Sequence, residues 1–258
     1  PLVITHHGHD LLPNCGTLCR WVYWGPLAAA AHYARRNIAV APPVAQTLRR
    51  RLGLAAQRIS VLVNGVPVPP QDRYLRSDRL RTSAPRVVAV GRLVKLKGHA
   101  QLIAAAARVV KTSPGARFYI VGDGPLRDSL QALSASLGLT EHVIFTGSVA
   151  DVPAHLHAAD IYVSTSHYEG MPMATLEAMA WGVPVIASDV AGNRAVVRHE
   201  ETGLLYALED VEQLAQRIES LLRYPDDALA RAHRARDLVE KRYSVSAVAA
   251  AYADLYGE

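Results

Sequence analysis

The chain has 258 residues, half of them hydrophobic and a fifth charged, with a formal net charge of +5 at neutral pH. This composition suits a globular protein of one or two domains with a substantial core, and no apolar run approaches the ~18 residues that would cross a bilayer. It therefore argues against a disordered or membrane-spanning chain.

Two cysteines, Cys15 and Cys19, are too few for a disulfide framework, so a reducing cytoplasm is the expected compartment. The arginines read as distributed along the chain. The block Arg49-Arg50-Arg51 is either a solvated helix face or a peripheral contact for anionic membrane headgroups. No nucleic-acid-binding motif accompanies the charge. Pro1 stands where an initiator Met would be and no signal peptide precedes it, so the chain reads as beginning inside a longer product or as having been processed.

In chain order, short apolar runs alternate with helical patterns, the signature of a parallel α/β fold. Strands are expected at 2–5, 37–41 and 59–63, with helices between them. Residues 67–85 carry prolines at both ends and several charges, and read as a linker. The rhythm then restarts with strands at 86–90, 117–121, 143–146, 160–164, 183–187 and 203–206, enough for one complete doubly wound domain. Helices from about Val211, from about Asp227 and over 245–256 close the chain. The resulting division is 1–66, a partial domain that looks like the second half of one; 67–85, the linker; 86–243, the complete domain; and 244–258, a final helix. Ligands in such sheets bind beyond the carboxyl ends of the strands, and each motif below lies at such an end.

Gly91-Arg92-Leu93-Val94-Lys95-Leu96-Lys97-Gly98 comes directly after the first strand of the complete domain. Arg92 and Lys97 can converge on one anion such as a diphosphate, or be solvated charges of a surface turn. Gly122-Asp123-Gly124-Pro125 suggests a tight turn near the ligand, with Pro125 at a helix start. Arg127 holds the place of the third glycine of a dinucleotide fingerprint, which argues against a nicotinamide site. The longest motif is Glu169-Gly170-Met171-Pro172-Met173-Ala174-Thr175-Leu176-Glu177. Pro172 marks a helix start whose backbone amides would favour a phosphate or sugar oxygen. Glu177, on a helix apolar nearly all round, needs a partner such as ribose hydroxyls or a neighbouring cation.

In this ordered set the chain resembles the retaining glycosyltransferases of family 4, and the resemblance spans essentially its whole length. Asn64-Gly65-Val66-Pro67 is similar to the family's turn closing the first domain. Arg92 and Lys97 match its diphosphate pair, Glu169 and Glu177 its E-x7-E motif, and Thr202-Gly203-Leu204-Leu205 the segment near the last strand. Tyr243-Ser244 and the helix after them resemble the crossing back to the first domain.

The resemblance implies a GT-B fold with a complete carboxy-terminal Rossmann-like domain and the second half of an amino-terminal one. It implies transfer of a sugar with retention from a nucleotide-sugar donor, a UDP- or GDP-sugar, to a sugar or lipid-linked acceptor. Glu169 would contact the donor sugar and Glu177 the ribose, while the backbone of Gly170, Met171, Pro172 and Met173 would meet sugar and phosphate oxygens. In Thr5-His6-His7-Gly8, His7 rather than His6 would be the catalytic-site histidine. The base would lean on backbone around Gly122 and Gly147 to Val149. Two departures stand out: Ala195 replaces the glutamate of the family's Gly-Gly-x-x-Glu, and the opening strands of the first domain are not in the sequence. A nucleotide-sugar epimerase or a non-catalytic nucleotide-sugar-binding subunit are the alternatives.

No metal or other cofactor is expected. His6, His7, His9, Cys15 and Cys19 match no common zinc spacing, no Asp-x-Asp motif occurs, and Arg92 with Lys97 would neutralise the diphosphate instead.

Overall fold

The computed structural model describes residues 2–7, 25–70 and 79–257. Two parallel sheets organise them. The smaller has the order β1-β2-β3, with β1 Val3–His6, β2 Arg36–Ala39 and β3 Ile59–Val61. The larger has β4 Arg86–Val90, β5 Arg117–Val121, β6 Val143–Gly147, β7 Ile161–Ser164, β8 Val185–Ser188 and β9 Leu204–Tyr206, in the order β6-β5-β4-β7-β8-β9. The chain reverses direction across the sheet between β4 and β7, which opens a crevice at their carboxyl ends.

The strands of the larger sheet sort their side chains onto two faces with a period of two, as pleating requires. Val87, Ala89, Phe118, Ile120, Ile161, Val163 and Ile186 pack on one face with helices α3 (His99–Thr112) and α8 (Val211–Arg223). Val88, Tyr162, Val185 and Ala187 pack on the other with α6 (Met173–Ala180) and α9 (Pro225–Arg242). The same second core takes in Val40, Val44, Leu48 and Val66, so the two sheets share one apolar interior.

The smaller sheet is joined to this core by α2 (Pro42–Leu52), which comes after α1 (Gly25–Tyr33). Pro42 begins α2 and Gly53, in the left-handed region, ends it; Val44, Leu48 and Leu52 form its buried stripe, and Arg49 to Arg51 sit where the helix dipole favours cations. Its neighbour across the junction is the short α7 (Ala191–Val196). The outer helices α4 (Arg127–Ser136) and α5 (Val152–Ala158) complete the larger unit, and α10 (Val245–Gly257) ends the described chain.

The two chain crossings between the units lie side by side. The Val66 amide donates to the Tyr243 carbonyl, and the Val245 amide to the Val66 carbonyl. Of the stretch read as a linker, 71–78 falls outside the described residues, and both of its described ends are anchored. The Arg236 guanidinium binds the Pro69 carbonyl at one end; at the other, Arg79 and Leu80 are buried and Asp160 accepts from the Leu80 and Arg86 amides. Helix α4 starts at Arg127, two residues later than Pro125 suggested, and the Leu126 amide just before it donates to the Leu93 carbonyl.

Candidate functional site

The loops leaving β4 and β7 line the crevice. After β4 the chain turns through Lys95–Lys97, a single 3-10 turn ended by Gly98 in the left-handed region. A side chain at Gly98 would place its Cβ 2.2 Å from the Thr165 carbonyl oxygen, so glycine is what lets the β4 and β7 loops touch. At this contact the Lys97 ammonium donates to Glu169 Oε1 over 2.6 Å, and the Ser166 hydroxyl donates to the same oxygen over 2.6 Å. Glu169 is buried, Lys97 partly so, and the bonds to this carboxylate are charge-assisted. Oε2 has no protein donor among the described residues.

Glu169 is also braced from behind. The Ser188 hydroxyl donates to the Ser166 carbonyl, and the buried Asn193 amide donates to the Ser188 carbonyl and hydroxyl. A Cβ at Gly192 would come within 2.2 Å of the Glu169 carbonyl oxygen, so α7 presses directly on the acidic loop. Asn64, on the crossing from the first unit, sends its amide to the Met171 sulfur at 3.1 Å.

Beyond this loop Pro172 precedes α6, whose Thr175, Leu176, Ala178, Met179 and Ala180 are buried. Glu177 is half-buried and has no partner among the described residues, and burial raises its pKa above the usual carboxylate range. Tyr162 lies beneath both acids; burial, then the charge of Glu169, pushes its phenol up, so it stays protonated.

Arg92 is exposed at the end of β4, its guanidinium without a partner among the described residues. Lys97, expected beside it on an anion, rests on Glu169. The Gly122 amide donates to the Gly147 carbonyl, joining the turns after β5 and β6, and Val149 packs against the core nearby. His6 is buried and bonded at 3.0 Å to Asn37, whereas His7 is exposed at the end of β1. His9, Cys15 and Cys19 lie outside the described residues, as does Gly8. Among the described residues no group of three or more His, Cys, Asp or Glu is placed to hold a metal ion.

Sequence reasoning missed Ser166, Ser188, Asn193 and the buried Gln101. Ser166 alone left a trace, a hydroxyl three residues before the acid it binds. A cavity of about 380 Å³ opens between the two units, lined among others by Val63, Met171, Pro172, Ala195, Tyr243 and Val248. At Ala195, where the family resemblance leads one to expect a glutamate, the backbone carbonyl accepts the Tyr243 hydroxyl instead.

Residues 71–238 match the family model described as glycosyl transferases group 1. The chain is 32% identical to a GDP-mannose-dependent alpha-(1-6)-phosphatidylinositol monomannoside mannosyltransferase of Mycobacterium tuberculosis, over 96% of this chain and 67% of that protein. Its fold matches Anabaena HepE, solved with UDP and glucose, with a TM-score of 0.86 at 24% identity over 100% of this chain and 72% of that one. It matches sucrose-phosphate synthase of Thermosynechococcus elongatus with a TM-score of 0.84 at 27% identity, over 98% of this chain and 66% of that one.

Proposed function

The chain belongs to the group 1 glycosyl transferases, and on that premise we propose that the crevice at the ends of β4 and β7 holds a nucleotide-sugar donor whose sugar passes to an acceptor with retention of configuration. The observation that carries this reading is the convergence of Lys97, Ser166 and Glu169 at the point where the sheet order reverses.

In this proposal Lys97 is a shared cation. It neutralises Glu169 and, with Arg92, meets the diphosphate when donor binds. The amides of Gly170 to Met173, ahead of α6, supply further positive potential for phosphate and sugar oxygens. Glu177 accepts the ribose hydroxyls, for which its unpartnered carboxylate is suited. Gly122, Gly147 and Val149 border the base. Glu169 orients the donor sugar, and His7 lies toward the reacting carbon.

As the bond from the anomeric carbon to the β-phosphate oxygen breaks, charge accumulates on the leaving diphosphate, where these cations stabilise it. The acceptor hydroxyl adds on the same face and gives its proton to the departing phosphate oxygen. No metal is required in this scheme.

The relatives point to donors of two bases: the mycobacterial enzyme is GDP-mannose-dependent and HepE was solved with UDP. For the acceptor, we favour a lipid-linked sugar. The apolar cavity beside Met171 and Pro172 suits an aglycone. The charge is also less even than the sequence first suggests: residues 1–66 hold seven arginines against one acid, Asp10. Arg35 and Arg49 to Arg51 of that segment are exposed, as is Tyr33, a combination suited to an anionic lipid surface. No helix of the described residues is long and apolar enough to cross a membrane.

The test is incubation of the protein with UDP- and GDP-sugars and a lipid-linked acceptor, with products analysed by mass and anomeric configuration by NMR. A glycoside of retained configuration supports the reading. An inverted product, or an epimerised donor without glycoside, would contradict it.

A further inference from the structure

Behind the Lys97–Glu169 contact lies a polar hub that the proposed chemistry does not use. Gln101, in the first turn of α3, is buried, and its carboxamide bonds to loops on both sides of it. Oε1 accepts from the Tyr206 hydroxyl at 3.1 Å and from the Glu209 amide at 3.0 Å, both at or past the end of β9. Nε2 lies 3.2 Å from the Thr165 carbonyl and 3.4 Å from His167 Nε2, both after β7. Thr165 in turn binds the Lys97 carbonyl through its hydroxyl, and the His167 amide donates to the Leu96 carbonyl.

The orientation of this amide is set by obligate partners. A backbone N–H can only donate and a backbone carbonyl can only accept, so Oε1 must face Glu209 and Nε2 must face Thr165. His167 Nε2 is then met by an N–H and has to accept. Its own proton therefore sits on Nδ1, which points to Glu209 Oε1 at 3.7 Å. A second proton on His167 would set two donors against each other at the hub.

We propose that Gln101 is a positioning residue of the donor site, holding the loop that presents Ser166 and Glu169 in register with Lys97 only while His167 is neutral. This rests on the donor-site reading above. Charged groups on the elements around His167 include Glu209 and Asp210, from the β9 loop, and Lys95 and Lys97, from the turn that carries Leu96. They also include Glu169, in its own loop, and Arg51 of α2, which acts on the adjacent Tyr168. The carboxamide contact is what distinguishes the two states.

The substitution Gln101→Glu separates positioning from mere packing. It keeps the acceptor for Tyr206 and Glu209, but turns the other oxygen toward the Thr165 carbonyl and the lone pair of neutral His167. Protonated His167 would donate to it instead. The experiment is calorimetric titration of the full protein with UDP and with GDP, tracking whichever binds the wild type, from about pH 8 down to about pH 5.5 across the imidazole range.

At the alkaline end Gln101→Glu should bind about tenfold more weakly than wild type, and the gap should close or reverse as pH falls. With His167→Phe in both backgrounds, the pH dependence of the ratio of the two affinities should shrink to what the introduced carboxyl alone contributes. Taking ratios cancels titration of the diphosphate and of Glu177, and the His167→Phe pair isolates that of the introduced carboxyl. A ratio whose pH dependence is the same with and without His167, in a wild type that binds nucleotide, would overturn this inference alone. Failure of the wild type to bind either nucleotide would overturn the donor-site reading and this inference with it. Where the variant unfolds at the acid end, the alkaline affinity and its change under His167→Phe decide the matter.

Discussion

Lys97 and Glu169 stand 72 residues apart in the chain, and their charged groups meet at 2.6 Å. The contact closes the β4 loop onto the β7 loop and gives a buried carboxylate its cation. A lysine so placed can turn from the acid to an incoming phosphate without leaving the site.

Lys97→Ala should weaken nucleoside-diphosphate binding about ten- to a hundredfold, the value of a charged hydrogen bond of ~1.5–3 kcal/mol, while free-nucleoside binding changes little. Calorimetry with both ligands checks this. Equal losses would mean that the lysine serves only Glu169.

Glu177 is held half-buried without a partner among the described residues, at a cost to stability. Glu177→Gln should leave the melting temperature unchanged or raise it, and should weaken nucleoside binding. A variant that melts lower and binds as wild type would assign this acid a structural role.

Gly192 makes α7 part of the site. In Gly192→Ala the new Cβ would collide with the Glu169 carbonyl, a backbone atom that moves only with its loop. Donor affinity should fall several-fold more than in Ala191→Gly, a change on the exposed side of the same helix. Comparable affinities for the two variants would show that the loop tolerates the shift.

His99 gives the pH dependence of stability. Burial, with Lys97 adding to it, lowers its pKa from 6.5 to about 4. The unfolded chain therefore binds a proton between these values that the folded protein refuses, so stability is lost as pH falls from about 6.5 toward 4. The full effect is about 3 kcal/mol. Urea unfolding of wild type and His99→Leu at neutral and mildly acidic pH should show a smaller acid loss in the variant. Equal losses would place the acid sensitivity elsewhere.

Much of the fold was readable because periodicity is local. The six strands of the larger sheet were all located, and errors at their ends have local causes. The strand expected from 183 begins at Val185, since the Val183 amide is taken by the Ala178 carbonyl and Pro184 has no N–H to give. The two histidines at the end of β1 separate as strand alternation requires, one inward to Asn37 and one outward. Motif residues marked the crevice, but not how they bond within it. Gln101 reads as an ordinary residue of an amphipathic helix, and its partners lie 64 to 108 positions away. Asn193 and Ser188 likewise acquire meaning only once β7 and β8 are adjacent.

The most direct test of the donor site is a crystal structure of the protein grown with UDP or GDP in the presence of EDTA. The diphosphate should lie within hydrogen-bonding distance of Lys97 Nζ and of the amides ahead of α6, with the ribose hydroxyls on Glu177. Nucleotide bound instead in the cavity beside Ala195 and Tyr243, or bound only when a divalent cation is restored, would contradict the account.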